Sequence, residues 1–400
     1  MKSNSIQSKK EFHLLIIQKL PLLLISILVR HIIFFILYTD CKSNITLVIK
    51  GKGNQSLLYS GFSYTPSDVI IDGISKKGEC NKTYELDKNE TEIKLVFDSQ
   101  INNCSKMFYD LVNITEIDLS EFDASKVVSM QYMFYNCSNL KKINFGEINT
   151  SVVKNMGCMF CYCKNLEYLN LLNFDTSQVT NMVEMFKFCN NLKSLDLSHF
   201  NTSQVTDMKY MFGYCYKIEY LDLSNFVTSK VTDMRSLFNG CNALLYLNLS
   251  NFDTSQVSDM GRMFSGCNAL LYLNLSNFDT SQVTDMGGMF SYCESLQSLN
   301  ILNFNVSQVT NMLSMFSNCN NLQYLNLPNF NSNKTRSYSY MFNNCHNLKS
   351  IDLSNLNSFS VFRINNMFRN CNSLEYLNLY KFKLSQNQTN RNIFKYSYNH

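Results

Sequence analysis

Asn251-Phe-Asp-Thr-Ser-Gln-Val-Ser-Asp-Met-Gly-Arg-Met-Phe-Ser-Gly-Cys267, inside Leu244–Leu270, decides how this chain is read. The same pattern returns every 26 residues between Met107 and Asn378, so most of the protein is one unit written eleven times. A Met-Phe pair marks each unit, from Met107-Phe108 to Met367-Phe368, with Leu237-Phe238 as the variant. A cysteine follows each pair from Cys137 to Cys371, whereas the first unit has Leu111 in that place. An unbroken period of this length indicates a solenoid, whose units bury their apolar faces by stacking on one another.

Two periodicities alternate within a unit. Met208, Met211, Phe212 and Cys215 fall at i, i+3, i+4 and i+7, which predicts a helix of about two turns with Asp207 as its N-cap. Ile218, Leu221 and Leu223 then alternate as a strand does, and Phe226 and Val231 flank a Ser/Thr-rich turn. The expected fold class is therefore α/β: a solenoid with a parallel sheet on one face and short helices on the other.

The Leu-x-x-Leu-x-Leu spacing resembles a leucine-rich repeat. Met-Phe-x-x-Cys-x-x-Leu-x-x-Leu-x-Leu followed by Ser-Asn-Phe-Asp-Thr-Ser-x-Val-Thr-x-Met resembles the BspA-like repeats of microbial surface proteins. The resemblance implies a curved solenoid displayed at a cell surface and used in adhesion or recognition.

Outside the repeats the chain divides into residues 1–43, 44–103 and, after repeats over 104–382, a fading C-terminal cap at 383–400, where Ile393-Phe394 stands as a degenerate twelfth helix. The first segment carries six basic and two acidic residues, the whole of the net charge of +4, and leaves 29 of each sign on the rest. A neutral body offers no electrostatic footprint for nucleic acid. Residues 13–38 are membrane-like, although Lys19 and Arg30 interrupt them. They read either as a cleaved secretion signal or as a single N-terminal anchor, with a buried helix as the bland alternative. The first two place the repeats outside the cell. Residues 44–103 carry short β-type runs at Ile45–Lys50, Asp68–Asp72 and Glu92–Phe97, and read as a β-rich module capping the first coil or as a binding module.

Composition, at 45% hydrophobic and 16% charged, fits a large ordered core. Ten cysteines share one apolar position and read as a buried thiol ladder. The irregular ones are better disulfide candidates, Cys80 with Cys104 above all. Cys158-x-x-Cys161 has neither a second cysteine pair nor a nearby histidine to complete a zinc site. The five histidines, His13, His31, His199, His346 and His400, lack a repeated acid or nucleophile partner, and no phosphate loop is present. The expectation is a non-enzymatic protein without a cofactor or metal.

Strand alternation turns one residue outward between the last two leucines, and it is always Asn or Asp, as at Asp196, Asp222, Asn248, Asn274, Asn300 and Asn326. Two residues earlier on the same face stand Tyr168, Tyr220, Tyr246, Tyr272, Tyr324 and Tyr376. Tyrosine beside amide and carboxylate groups suits a protein or carbohydrate ligand, while stacked Asn and Asp can equally satisfy one another in a ladder. Segments such as Asp253-Thr-Ser255 read as side-chain-closed turns, with calcium ligation as the rarer alternative. Sequons are numerous, and those at Asn248 and Asn274 would place glycans on the sheet face if the host glycosylates. A structural coat component and an intracellular scaffold are the competing functional classes.

Overall fold

The computed structural model describes residues 43–327, 330–356, 361–380, 392–394 and 397. Residues 13–38, most of the expected C-terminal cap, and His13, His31, Cys41, Asn387 and His400 lie outside that set. Among the described residues no helix is long and apolar enough to cross a membrane.

The repeats wind into a β-solenoid of about ten turns with no helix among the described residues, which corrects the α/β expectation. The strand part of the unit forms as a parallel ladder. β9 (Tyr220–Asp222) lies beside β10 (Tyr246–Asn248), β11 (Tyr272–Asn274) beside β12 (Ser298–Asn300), and β13 (Tyr324–Leu325), β14 (Ser350–Asp352) and β15 (Tyr376–Asn378) follow one another. Partners are one period apart, as in Leu221 with Leu247. A second column of parallel bridges runs through Asp207, Asp233, Asp259 and Asp285.

The Met-Phe segment fails to be helical for a reason visible in its N–H groups. A helix needs bonds to residue i−4. Here Met211 donates to Met208 O and Cys215 to Phe212 O, closing two successive four-residue turns, while Tyr210, Phe212 and Tyr214 donate to Arg235, Leu237 and Asn239 of the next coil. The third residue of each turn has positive φ, 54° at Tyr210 and 62° at Tyr214, the mark of type II geometry. That geometry turns the central peptide along the solenoid axis: the Lys209 carbonyl accepts from Glu184 of the coil before, and the adjoining Tyr210 N–H donates to the coil after. Both turns still aim Met208, Met211, Phe212 and Cys215 inward, all at 0% exposure. The spacing that predicts an amphipathic helix is therefore met by two tandem turns. Asp207 does accept a backbone N–H, that of Lys209 at 2.9 Å, but it closes a turn and caps no helix.

Side chains repeat the stacking. Phenylalanine rings run from Phe108 towards Phe394, with Phe212 and Phe238 5.7 Å apart and inclined by 5°. Each ladder thiol donates to the phenylalanine carbonyl 29 residues earlier, as Cys241 does to Phe212 at 3.2 Å. Cysteine is thus a small apolar group that also saturates a carbonyl. Coil one has Leu111 because no earlier phenylalanine stands beneath it. Past the last ladder cysteine, Ser397 sits one period on and its hydroxyl bonds Phe368 O at 2.8 Å. The buried threonines act alike: Thr202 donates to Val227 O and accepts from Val227 N, both at 2.9 Å.

The N-terminal module joins this stack edge to edge. β1 (Ser43–Lys50) pairs antiparallel with β6 (Glu90–Phe97) on one side and with β7 (Ile114–Asp118), the first coil's strand, on the other. β3 (Asp68–Ile71) and β4 (Ile74–Ser75) extend the far edge, β8 (Lys142–Asn144) continues beyond β7, and β2 (Gly53–Ser56) pairs with β5 (Thr83–Leu86). Ile45, Leu47 and Ile49 are wholly buried, so alternation along β1 closes the open end of the core. Cys80 and Cys104 are both free thiols, so the expected bridge between them is not formed. Cys104 falls one period before Met130 and fills the same core position, at 0% exposure. The Cys80 thiol sits 3.7 Å from Lys76 O.

Left-handed φ disfavours a non-glycine residue by roughly 1–2 kcal/mol. Ser236→Gly and Arg262→Gly, at φ 55° and 56°, should therefore each raise stability by about 1 kcal/mol in urea unfolding, helped at Ser236 by removal of a buried hydroxyl without a partner. In a helix the same changes would lower stability by about 1 kcal/mol, so a loss would contradict the tandem-turn structure.

Burial pushes the thiols of Cys241 and Cys293 from the ordinary 9.0 up to about 12. Between those values the unfolded chain has lost its thiol protons and the folded chain has kept them, so stability falls as pH rises, by up to about 1.4 kcal/mol per pH unit for each thiol. The urea midpoint should hold between neutrality and pH 9 and then drop, less steeply in a Cys241→Ser/Cys293→Ser double variant. Equal slopes in the two proteins would show that the ladder thiols do not drive the loss.

Candidate binding face

The outer surface of the parallel ladder is set by strand alternation. Leu221 points into the core at 1% exposure, and its neighbours Tyr220 and Asp222 stand out. Tyr168, Tyr220, Tyr246, Tyr272, Tyr324 and Tyr376 are all exposed, from 43% at Tyr246 to 64% at Tyr168. Tyr220 and Tyr246 are cross-strand partners with rings stacked at 4.5 Å and 5°. Further along, tyrosine and serine alternate, as Tyr272 faces Ser298, and Ser350 lies between Tyr324 and Tyr376. Lys193 lies over the Tyr168 ring at 5.6 Å while pairing with Glu167 at 2.9 Å.

The Asn and Asp residues of the face are engaged differently. The Oδ1 atoms of Asp196, Asp222, Asn248 and Asn274 accept the N–H groups of Ser198, Ser224, Ser250 and Ser276 at 2.9 to 3.1 Å. Asn300 makes the same contact to Leu302 at 3.5 Å, and Asn326 is exposed. Hydrogen bonding to the Ser198 and Ser224 backbone holds the Asp196 and Asp222 carboxyls below the ordinary carboxylate value. Between coils, Asn144 donates to Asp118 at 3.1 Å and Asn378 to Asp352 at 3.3 Å. These side chains turn the chain out of each strand and tie neighbouring coils together. Asp253 and Asp279 likewise close turns onto Ser255 and Ser281.

Two concave regions escape sequence reasoning. One, of about 560 Å³, lies where the N-terminal sheet meets the first coils and is lined by Glu92, Glu116, Asp118 and Lys142 among others. It arises from the antiparallel junction of β1 and β7, which no local pattern announces. The other, about 630 Å³, lies on the turn side between Tyr214 and Tyr292, with Arg235, Asp259, Arg262 and Asp285 around a floor of Gly261, Gly287 and Gly288. Its signal was the cluster of glycines in successive units. Gly240 ends an aromatic stack there: Phe188 and Tyr214 are 4.4 Å apart, and a Cβ on Gly240 would lie 2.7 Å from Tyr214 Cδ1. Of the histidines, His199 contacts Leu171 O at 2.7 Å through Nε2. Among the described residues no group of three or more His, Cys, Asp or Glu is arranged to hold a metal ion.

The family described as "Mycoplasma protein of unknown function, DUF285" matches residues 82–168, 138–246, 163–270, 214–324, 242–350 and 296–400. These overlapping matches cover most of the chain, which belongs to that family. No curated protein matches it. The repeat character inferred from the sequence stands, while the leucine-rich-repeat architecture does not.

Proposed function

We propose that this member of the DUF285 repeat family is a non-enzymatic recognition protein, secreted or held at the cell surface, that binds a protein or carbohydrate partner through the tyrosines of its parallel sheet. The observation that carries the reading is the row of exposed tyrosine rings along the face formed by the short parallel strands. Tyrosine offers apolar area and a polar tip at low entropic cost, which suits partner surfaces and sugar rings alike. The Asn and Asp groups beside it have turn-closing roles, so they are supporting elements and the tyrosines are the contact groups. The resemblance to BspA-like surface proteins supports the same assignment, as does the membrane-like segment at residues 13–38. Membrane contact is confined to that segment, and neither nucleic acid nor a cofactor enters.

Because the tyrosines are exposed, replacing Tyr246, Tyr272 and Tyr324 together by alanine should leave the thermal midpoint within a few degrees of the parent. The triple variant should lose at least tenfold in attachment to intact cells or matrix, measured with the labelled full chain. Unchanged attachment by a folded triple variant would remove the sheet face from consideration. External protease accessibility of a C-terminally tagged full chain on intact cells tests the location separately, and complete protection would contradict it.

A further inference from the structure

Two cysteines stand outside the ladder in the third Met-Phe segment. Cys158 occupies the first left-handed turn position, at φ 55°, and Cys161 follows three residues later with its N–H bonded to Cys158 O at 3.2 Å. The ends of such a turn have Cα atoms under about 7 Å apart, within the span that a disulfide bridges, about 4.4–6.8 Å. The two thiols converge on one carboxylate, each lying 3.9 Å from the same oxygen of Glu184. The other Glu184 oxygen is paired with Lys187 at 2.9 Å. Cys163 is a different kind of thiol, turned into the core and bonded to Phe134 O at 3.1 Å.

We propose that Cys158 and Cys161 form a modification site: a vicinal dithiol that closes to an intramolecular disulfide by exchange with a low-molecular-weight disulfide. The neighbouring Cys161 thiol, with Tyr132 and Lys187 close by, favours the Cys158 thiolate, whose acidity is raised above that of an ordinary thiol, while Cys161 is held protonated. Cys158 is also the member that solvent reaches, at 6% exposure against 0% for Cys161. The Cys158 thiolate attacks one sulfur of the reagent disulfide, forming a mixed disulfide and expelling one thiolate. Cys161 then passes its proton to the Glu184 carboxylate and attacks the Cys158 sulfur, forming the ring and expelling the second thiolate. Glu184 then gives up that proton to solvent, so in sum the dithiol loses two electrons and two protons and the reagent disulfide ends as two thiols.

The repeat supplies safe variants, since Ser236 and Ser314 occupy the Cys158 position in other coils, and Ser265, Ser291 and Ser317 the Cys161 position. The reduced, folded full chain is exposed to oxidised glutathione, quenched in acid, alkylated after denaturation and cleaved with trypsin. The peptide 155–164, bounded by Lys154 and Lys164, should lack two hydrogens and carry a single alkyl group, on Cys163. Cys161→Ser should stop at one glutathione on Cys158, and Cys158→Ser should leave Cys161 fully alkylated. Three alkyl groups on the parent peptide, a bridge that includes Cys163, or glutathione on Cys161 in the Cys158→Ser variant would each overturn the assignment.

Discussion

Every coil of this protein depends on peptide groups that lie along the solenoid axis. In the Met-Phe segment the Lys209–Tyr210 and Gly213–Tyr214 peptides each accept from the preceding coil and donate to the following one. Without those bonds the turns would leave buried N–H and C=O groups unpaired, at about 1–3 kcal/mol each. The left-handed residues are the structural cost of that alignment, and tyrosine, phenylalanine, serine and arginine all accept it here. Such conformations persist where surrounding structure over-determines them, and here a coil above and a coil below do so.

Side-chain chemistry follows from the same translation. Rings that recur every 26 residues meet their own copies about one strand spacing away, which favours stacked phenylalanines and disfavours any residue whose copies would repel one another. A thiol at the ladder position serves because the carbonyl of the earlier phenylalanine needs a second donor and little volume remains. The ends of the ladder support this reading: Leu111 has no earlier phenylalanine to serve, and Ser397 substitutes a hydroxyl for the thiol on Phe368. The Cys158–Cys161 pair breaks the pattern and brings two thiols to the Glu184 carboxylate instead of to backbone carbonyls.

Much of this was legible in the sequence. The period, the inward leucines and the outward tyrosines follow from repetition and strand alternation, and Tyr220 and Leu221 lie as those rules require. What the residues concealed was the backbone of the Met-Phe segment, because i, i+3, i+4 and i+7 describes one face of a helix and also the inner corners of two tandem turns. The discriminating clue was glycine: Gly240, Gly266 and Gly288 fall on the two left-handed columns, a placement with no advantage inside a helix. The Asn and Asp column was ambiguous for a related reason. An outward polar side chain can face a ligand or fold back onto the N–H two residues on, and at Asp222 and Asn248 it folds back.

The far-UV circular dichroism spectrum of the purified full chain tests the central claim most directly. A unit built with two-turn helices would place about a quarter to a third of each repeat in helix, and its paired helical minima would dominate the spectrum. The axial-peptide structure predicts a β-type spectrum in which any helical signal is no larger than residues outside the repeats can supply. A helical content near a quarter of the chain would contradict it.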